Sequence, residues 1–157
     1  MLIKTHLAIT VFGILLLILS VEHRLIFVVV ALLATFLPDI DSRYSVIGRK
    51  KINRILQFFT KHRGITHSFV FLIFVTLILL YILPVATLGF FVGYGLHLFA
   101  DSFTVNGITP FHPFSKMKSD GFIRTGKKFE KFIFIAFIIL DVLLIWIKFS
   151  DIYLLVK

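Results

Sequence analysis

The chain of 157 residues contains no cysteine and few charged residues. The absence of cysteine excludes a disulfide framework and a zinc site built on thiolates. Only 16% of the residues are charged, whereas water-soluble domains average about 25%. Among the charged residues, the acidic ones are the minority, with 8 Asp and Glu against 17 Lys and Arg. This shortage of charge excludes a disordered chain, a coiled coil and an ordinary water-soluble enzyme.

The chain is instead rich in apolar residues, with 59% hydrophobic residues, 20 Phe and a mean hydropathy of +1.01. A water-soluble domain of this size could not bury so many Phe without leaving a large apolar surface. We therefore expect one domain over residues 1–157 that is embedded in a lipid bilayer. The net charge of +9 fits anionic lipid headgroups as partners, and no nucleic-acid partner is expected.

Five apolar stretches have the length and composition expected of membrane-spanning helices. The stretch from 68 to 96 has no charge over 29 residues. As one straight helix it would measure about 43 Å, longer than a hydrocarbon core of about 30 Å. Pro84 in its middle therefore predicts a turn between two helices. The predicted fold is an all-α, multi-pass membrane bundle with spans near 3–21, 24–38, 67–83, 85–103 and 130–149.

Basic residues indicate the orientation of this bundle. With five spans, 14 of the 17 Lys and Arg lie on one side, which places the N-terminus in the cytoplasm. Between the second and third spans, Ile52, Ile55, Leu56 and Phe59 recur at helical spacing opposite basic residues. This pattern predicts a basic interfacial helix over residues 49–60, among anionic headgroups. The segment 104–128 is rich in Gly and Pro, which predicts turns.

Ionisable side chains at membrane depth are costly, so each is a functional candidate. The predicted topology brings His and Asp to the cytoplasmic ends of four helices. His97 and Asp101 are four residues apart on one helical face, where an imidazole nitrogen and a carboxylate oxygen can bind one divalent ion. The predicted metal ligands are His6, Asp39, His62, His67, His97 and Asp101. The alternative for each is a polar side chain that faces headgroup water.

Two further residues are candidate catalytic residues. Asp41 lies beside Asp39 on the turn after the second span, where it could orient a ligand histidine or act as a base. Its alternative role is to cap the next helix. Arg63 lies between His62 and His67, and its planar guanidinium could bind a phosphate next to a metal. Its alternative role is a basic side chain among headgroups.

These motifs also resemble a known family. Residues 37–41 (LPDID), 45–49 (SVIGR) and 62–68 (HRGITHS) resemble the signature of the YdjM/YbcI-like inner-membrane proteins, a family of predicted metal-dependent hydrolases. Residues 93–101 (GYGLHLFAD) are similar to the second half of that signature, so the resemblance extends over residues 1–116. The family is regarded as remotely similar to zinc-dependent phospholipase C and P1-type nucleases. Those helical enzymes bind a zinc cluster through His, Asp and a His-x-x-x-Asp helix.

The resemblance implies a membrane-bound, metal-dependent hydrolase. The ligands that it implies are His6, Asp39, His62 or His67, His97 and Asp101. The chain lacks a second downstream His and Glu pair, so one or two zinc ions are expected rather than three. The first expectation is a phosphoesterase that acts on a lipid phosphate or another phosphate ester at the cytoplasmic face of the inner membrane. The second is a non-catalytic scaffold or stress-response protein with a structural metal. An ion transporter fits less well, because the polar residues cluster at one end instead of the midplane.

Overall fold

The computed structural model describes residues 1–41 and 65–155, so the interfacial helix predicted over 49–60 lies outside the described residues. Within these ranges the chain is helical and has no regular β-strand, which confirms the all-α prediction. The α-helices are α1 (Ile3–Leu17), α2 (Arg24–Phe36), α3 (Phe69–Ile82), α4 (Pro84–Ser102) and α5 (Lys128–Leu155). The last helix is longer than predicted, because Lys148 interrupts its apolar run without breaking the helix.

Local sequence signals explain where the helices begin and end. Leu83 alone separates α3 from α4, and Pro84 occupies the first turn of α4, where a missing N–H costs nothing. This confirms the predicted turn. Ser68 caps α3, since its hydroxyl accepts a hydrogen bond from the backbone N–H of Phe71 at 3.1 Å. Short 3-10 turns follow α1 and α2 and precede α3, at Ile18–Ser20, Leu37–Asp41 and Ile65–His67.

Small residues bring α2 and α4 into close contact. A Cβ atom added to Gly93 would lie 2.0 Å from the carbonyl oxygen of Ala31. One added to Gly89 would lie 2.8 Å from the carbonyl oxygen of Phe27. Larger residues at either glycine would therefore force the helices apart, as in the small-xxx-small contacts of membrane helices. Gly89 therefore contacts Phe27, and Gly93, one turn later, contacts Ala31, one turn later on α2, so the two helices run parallel.

Consecutive helices run in alternating directions. The contacts that fix these directions are Thr10–Thr35 and Ile14–Phe27 between α1 and α2, Gly95–Leu72 between α3 and α4, and Thr5–Glu130 and Phe12–Phe137 between α1 and α5. Helices α1, α3 and α5 therefore point one way, and α2 and α4 point the other. This alternation is what a chain that crosses a layer repeatedly requires.

Much of the outer surface of the bundle is apolar. Leu25, Tyr81 and Trp146 are 77%, 91% and 68% exposed. By length and composition, one described helical stretch, Ile3–Ser20, is sufficient to cross a membrane, and Phe69–Ile82 is apolar but shorter. So large an exposed apolar area is typical of a surface that contacts lipid or another apolar partner.

A folded loop connects α4 to α5. We call residues 103–127 the α4–α5 loop. Two isolated bridges hold it together, one between Thr104 and Ile123 and one between Ile108 and Ser119. Turns fill the rest, as its glycine and proline content predicts.

Candidate metal centre

Five of the predicted metal ligands converge at one end of the helical bundle. His6 lies near the start of α1, and Asp39 lies in the 3-10 turn after α2. His67 ends the 3-10 turn before α3, and His97 and Asp101 lie in the last turns of α4. Asp39 is half-buried, and each of the other four is at most 1% exposed. We call these five residues the His/Asp cluster.

The packing of α2 against α4 explains this convergence. Positions four apart share one helical face. On α4 such a face carries Gly89, Gly93, His97 and Asp101, and the facing positions of α2 and its extension are Phe27, Ala31, Thr35 and Asp39. The glycines let the two faces touch. The contact that packs the helices therefore also aligns the candidate metal ligands that they carry.

Four atoms of the cluster form a closed ring in which nitrogen and oxygen alternate. Oδ1 of Asp39 lies 3.8 Å from Nε2 of His67 and 4.0 Å from Nε2 of His97. Oδ2 of Asp101 lies 3.9 Å from each of the same two nitrogens. Tetrahedral zinc with bonds of about 2.0–2.1 Å separates neighbouring ligand atoms by about 3.4 Å. Each of these four separations is therefore about half an ångström longer than the ligand separation in a tetrahedral zinc site.

A backbone carbonyl orients His97. Its Nδ1 lies 2.8 Å from the carbonyl oxygen of Thr35. Because a carbonyl can only accept, Nδ1 carries the proton and Nε2 presents its lone pair to the ring. A carbonyl partner of this kind is typical of metal-binding histidines. The Thr35 hydroxyl donates to the carbonyl of Ala31 at 2.8 Å and shares a hydrogen bond with the Thr10 hydroxyl at 2.9 Å.

Several ring nitrogens of the cluster have no hydrogen-bond partner among the described residues. Nε2 of His67, Nε2 of His97 and Nδ1 of His6 are buried in this way. Such an atom costs about 1–3 kcal/mol, so native proteins contain few of them. Several at one point fit a metal-binding role, in which the nitrogen lone pair contacts a cation.

His6 lies beside the ring of four atoms. Its imidazole stacks on that of His97 with ring centres 3.9 Å apart, and its Nε2 lies 3.3 Å from Oδ1 of Asp101. Two triads can each bind a metal, His6–His97–Asp101 and Asp39–His67–His97, with ligand atoms within 4.8 Å of one another. Both triads include His97, whose one available nitrogen can bind only one ion. The two triads therefore cannot both bind an ion through this nitrogen.

The carboxylates of the cluster supply negative charge. Burial opposes the ionisation of Asp39, but the adjacent His67, with His97 and His6 nearby, holds the pKa of that carboxyl below its ordinary value. Oδ1 of Asp101 also contacts the amine of Met1. A carboxylate beside imidazole nitrogens is a donor set that suits a divalent cation.

No motif in the sequence indicates the role of Glu130, which is 1% exposed. Its Oε1 accepts hydrogen bonds from the backbone N–H of Leu2 at 2.5 Å and the hydroxyl of Thr5 at 3.2 Å. Its Oε2 accepts one from the N–H of Gly126. Glu130 thus fixes the first turn of α1, and His6 with it, against α5. Its partner Leu2 is 128 positions away, so no local pattern could have revealed the contact.

The other predicted site residues are not placed. His62 and Arg63 lie outside the described residues. Asp41 ends the Leu37–Asp41 turn, but its side chain is also outside the described part. Their roles stay predictions.

The chain matches the family described as YdjM inner membrane protein over residues 1–156. No curated protein and no solved structure matched it. The likeness to phospholipase C and P1-type nucleases therefore rests on the sequence motifs alone. Because the family match extends over almost the whole chain, this protein belongs to the YdjM family of inner-membrane proteins.

Proposed function

We propose that this protein is a metal-dependent hydrolase of the inner membrane that acts on a lipid phosphate or another phosphate ester. The observation that carries the proposal is the convergence of three buried imidazoles on two carboxylates at one end of an apolar bundle. Nitrogen and oxygen ligands in this combination suit zinc. A zinc ion supplies a Lewis acid and lowers the pKa of its bound water toward neutrality.

The same proposal includes five membrane spans with the N-terminus and the His/Asp cluster at the cytoplasmic face. The alternating helix directions and the apolar outer surface support it. Helix α2 has 13 residues, which gives a length of about 20 Å. Leu37 and Pro38, the first two residues of the 3-10 turn, add about 4 Å, so Asp39 lies at the end of this span and not within the hydrocarbon core.

Each residue of the site has a specific task in this proposal. The ring atoms of Asp39, His67, His97 and Asp101 bind the metal. Arg63 binds the phosphate oxygens and neutralises charge that develops on them. Asp41 orients a ligand histidine or accepts a proton. Anionic headgroups, attracted by the basic segments, bring lipid substrates to the site.

One observation favours a second candidate function. The ring offers four protein ligands, and four protein ligands complete a tetrahedral structural zinc site, whereas catalytic sites keep a position open. In that case the metal would stabilise the meeting point of the helices, and the protein would serve as a membrane scaffold or stress-response partner.

Metal analysis and activity measurements on detergent-purified protein test both candidates. We expect about one zinc per chain and hydrolysis of a phospholipid or phosphodiester that a chelator abolishes. His97→Ala should lose both properties. His23→Ala is the matched control, since this exposed histidine lies between α1 and α2 at the other end, and it should keep both. If zinc raises the melting temperature of the protein but no phosphate ester is hydrolysed, the result would support the structural role. Absence of bound metal in the wild type would refute both candidates.

A further inference from the structure

The α4–α5 loop and the first turn of α5 form a surface that is both apolar and basic. Its exposed apolar side chains are Phe111, Phe114, Met117, Phe122 and Phe129, at 50%, 85%, 58%, 72% and 48% exposure. Its exposed basic side chains are Lys116, Lys118, Arg124, Lys127, Lys128 and Lys131. We call this set of side chains the loop surface. Phenylalanine so exposed on a folded segment indicates a surface with an apolar partner.

The exposure is not a consequence of a disordered loop. Ile108 and Ser119 exchange two backbone hydrogen bonds of 2.9 Å, and the N–H of Ile123 donates to the carbonyl of Phe103 at 3.1 Å. Ile108 and Ile123 are 2% and 5% exposed. Ile108 packs in the core of the bundle with Tyr94 and Leu98, so the loop is fixed against the helices while Phe114 and Phe122 stay exposed.

The charge of the loop surface is strongly positive. Its acidic residues do not balance the six cations, because Asp120 pairs with Lys118 at 3.6 Å and Glu130 is buried in its hydrogen bonds. Aromatic side chains among Lys and Arg are typical of the membrane–water interface. Anionic headgroups complement this charge, and each basic residue near such a surface contributes about 1 kcal/mol of attraction.

The loop surface is continuous with the apolar side of α5. The ring of Phe122 contacts that of Phe129 on α5, with centres 5.3 Å apart, and Phe132 one turn further along is 67% exposed. The partner that covers α5 therefore also reaches the loop. A second copy of this chain fits poorly, because two surfaces with six cations each would repel one another.

The loop lies at the end of the bundle that holds the His/Asp cluster. The Thr104 hydroxyl donates to the carbonyl of Asp101 at 2.8 Å. The N–H of Phe69, at the start of α3, donates to the carbonyl of Pro110 at 2.9 Å. The loop is thus anchored to two helix ends that carry cluster residues.

We propose that the loop surface docks onto the anionic headgroups of the leaflet at the cluster end, with Phe114 and Phe122 inserted into the interface. Lys116 and Arg124 contact lipid phosphates. This docking is independent of whether the His/Asp cluster catalyses a reaction.

Site-specific labelling tests the proposal on the full chain. Because the chain has no cysteine, Phe114→Cys and Phe122→Cys can each carry a single polarity-sensitive fluorophore. The proteins are placed in nanodiscs of phosphatidylcholine, with or without phosphatidylglycerol. We expect both labels to be shielded from a water-soluble quencher, and more strongly with phosphatidylglycerol. Glu22→Cys, in the exposed turn at the opposite end, should not respond to lipid charge.

Charge reversal provides the second measurement. Lys116→Glu with Arg124→Glu should weaken the shielding at Phe114→Cys in anionic nanodiscs by about 5-fold for each cation removed. Arg24→Glu, an exposed cation at the other end, should have no effect. Labels that stay open to the quencher in both lipid mixtures would overturn the proposal. Shielding that depends on protein concentration would also overturn it, because a second copy would then be the partner. Shielding that appears only with added cytosolic protein would overturn it as well.

Discussion

Two buried polar groups at the same end of the bundle differ in how well their polar atoms are satisfied. The carboxylate of Glu130 accepts three hydrogen bonds from α1 and its own N-terminal turn. The imidazoles of His6, His67 and His97 keep nitrogens without a partner among the described residues. A satisfied polar group stabilises packing, whereas an unsatisfied one costs stability and persists for another reason. We therefore expect Glu130 to stabilise the fold and the imidazoles to bind a ligand.

The largest expected effect is at His97, which belongs to both triads. His97→Ala should lower the affinity for zinc by more than about 100-fold, because loss of an outer partner of a metal ligand alone costs about 10–100-fold. The metal-free variant should be less stable than the metal-free wild type by about 1–3 kcal/mol, because the substitution also removes the hydrogen bond from Nδ1 to the carbonyl of Thr35 and leaves that buried carbonyl without its partner. Isothermal titration with zinc and thermal unfolding with a chelator measure the two quantities. Wild-type affinity in the variant would contradict the assignment of the site.

Removal of Glu130 should lower stability strongly and zinc affinity only slightly, whereas removal of His97 acts mainly on zinc affinity. Glu130→Ala loses three hydrogen bonds to a buried side chain and should lower the free energy of unfolding by about 3 kcal/mol. Zinc affinity should fall less than about 10-fold, because Glu130 acts on His6 only through the first turn of α1. Denaturation in detergent measures the stability. Asp120→Ala, which removes an exposed carboxylate, should change it by less than about 0.5 kcal/mol. If His97→Ala and Glu130→Ala had the same profile, the distinction between the two groups would be wrong.

The glycines of α4 connect packing to the site. In Gly93→Ala the new Cβ would overlap the carbonyl of Ala31, and overpacking of this kind costs about 1–3 kcal/mol. Displacement of α2 should also move Asp39 and weaken zinc binding. Gly95→Ala is the matched control, since its Cβ would meet only the Leu72 side chain, at 3.4 Å. Unfolding and zinc titration should therefore show a loss for Gly93→Ala alone, and equal behaviour of the two variants would exclude the close α2–α4 contact.

The sequence predicts features that depend on neighbouring residues, but it misses contacts between residues that are distant in the chain. The turn at Pro84 and the shared face of His97 and Asp101 follow from neighbouring residues, and both are present. The grouping of His and Asp at one end of the helices followed from the predicted five-span topology. The contact of Glu130 with Leu2 and the carbonyl of Thr35 on His97 have no local signal. They arise only when separate helices pack together.

The smallest expected effect is at Thr35, which takes part in both packing and orientation of the site. Thr35→Val removes the hydroxyl that pairs with Thr10, at a cost of about 1 kcal/mol, but keeps the backbone carbonyl that orients His97. Stability should fall while zinc affinity stays within about threefold, well below the loss from removal of an outer partner. A double-mutant cycle with Thr10→Val isolates the hydroxyl pair. A large loss of zinc affinity in Thr35→Val would mean that the hydroxyl pair, and not the carbonyl alone, sets the position of His97. The same hydroxyl pair on α2 would then contribute both to helix packing and to the position of a candidate metal ligand.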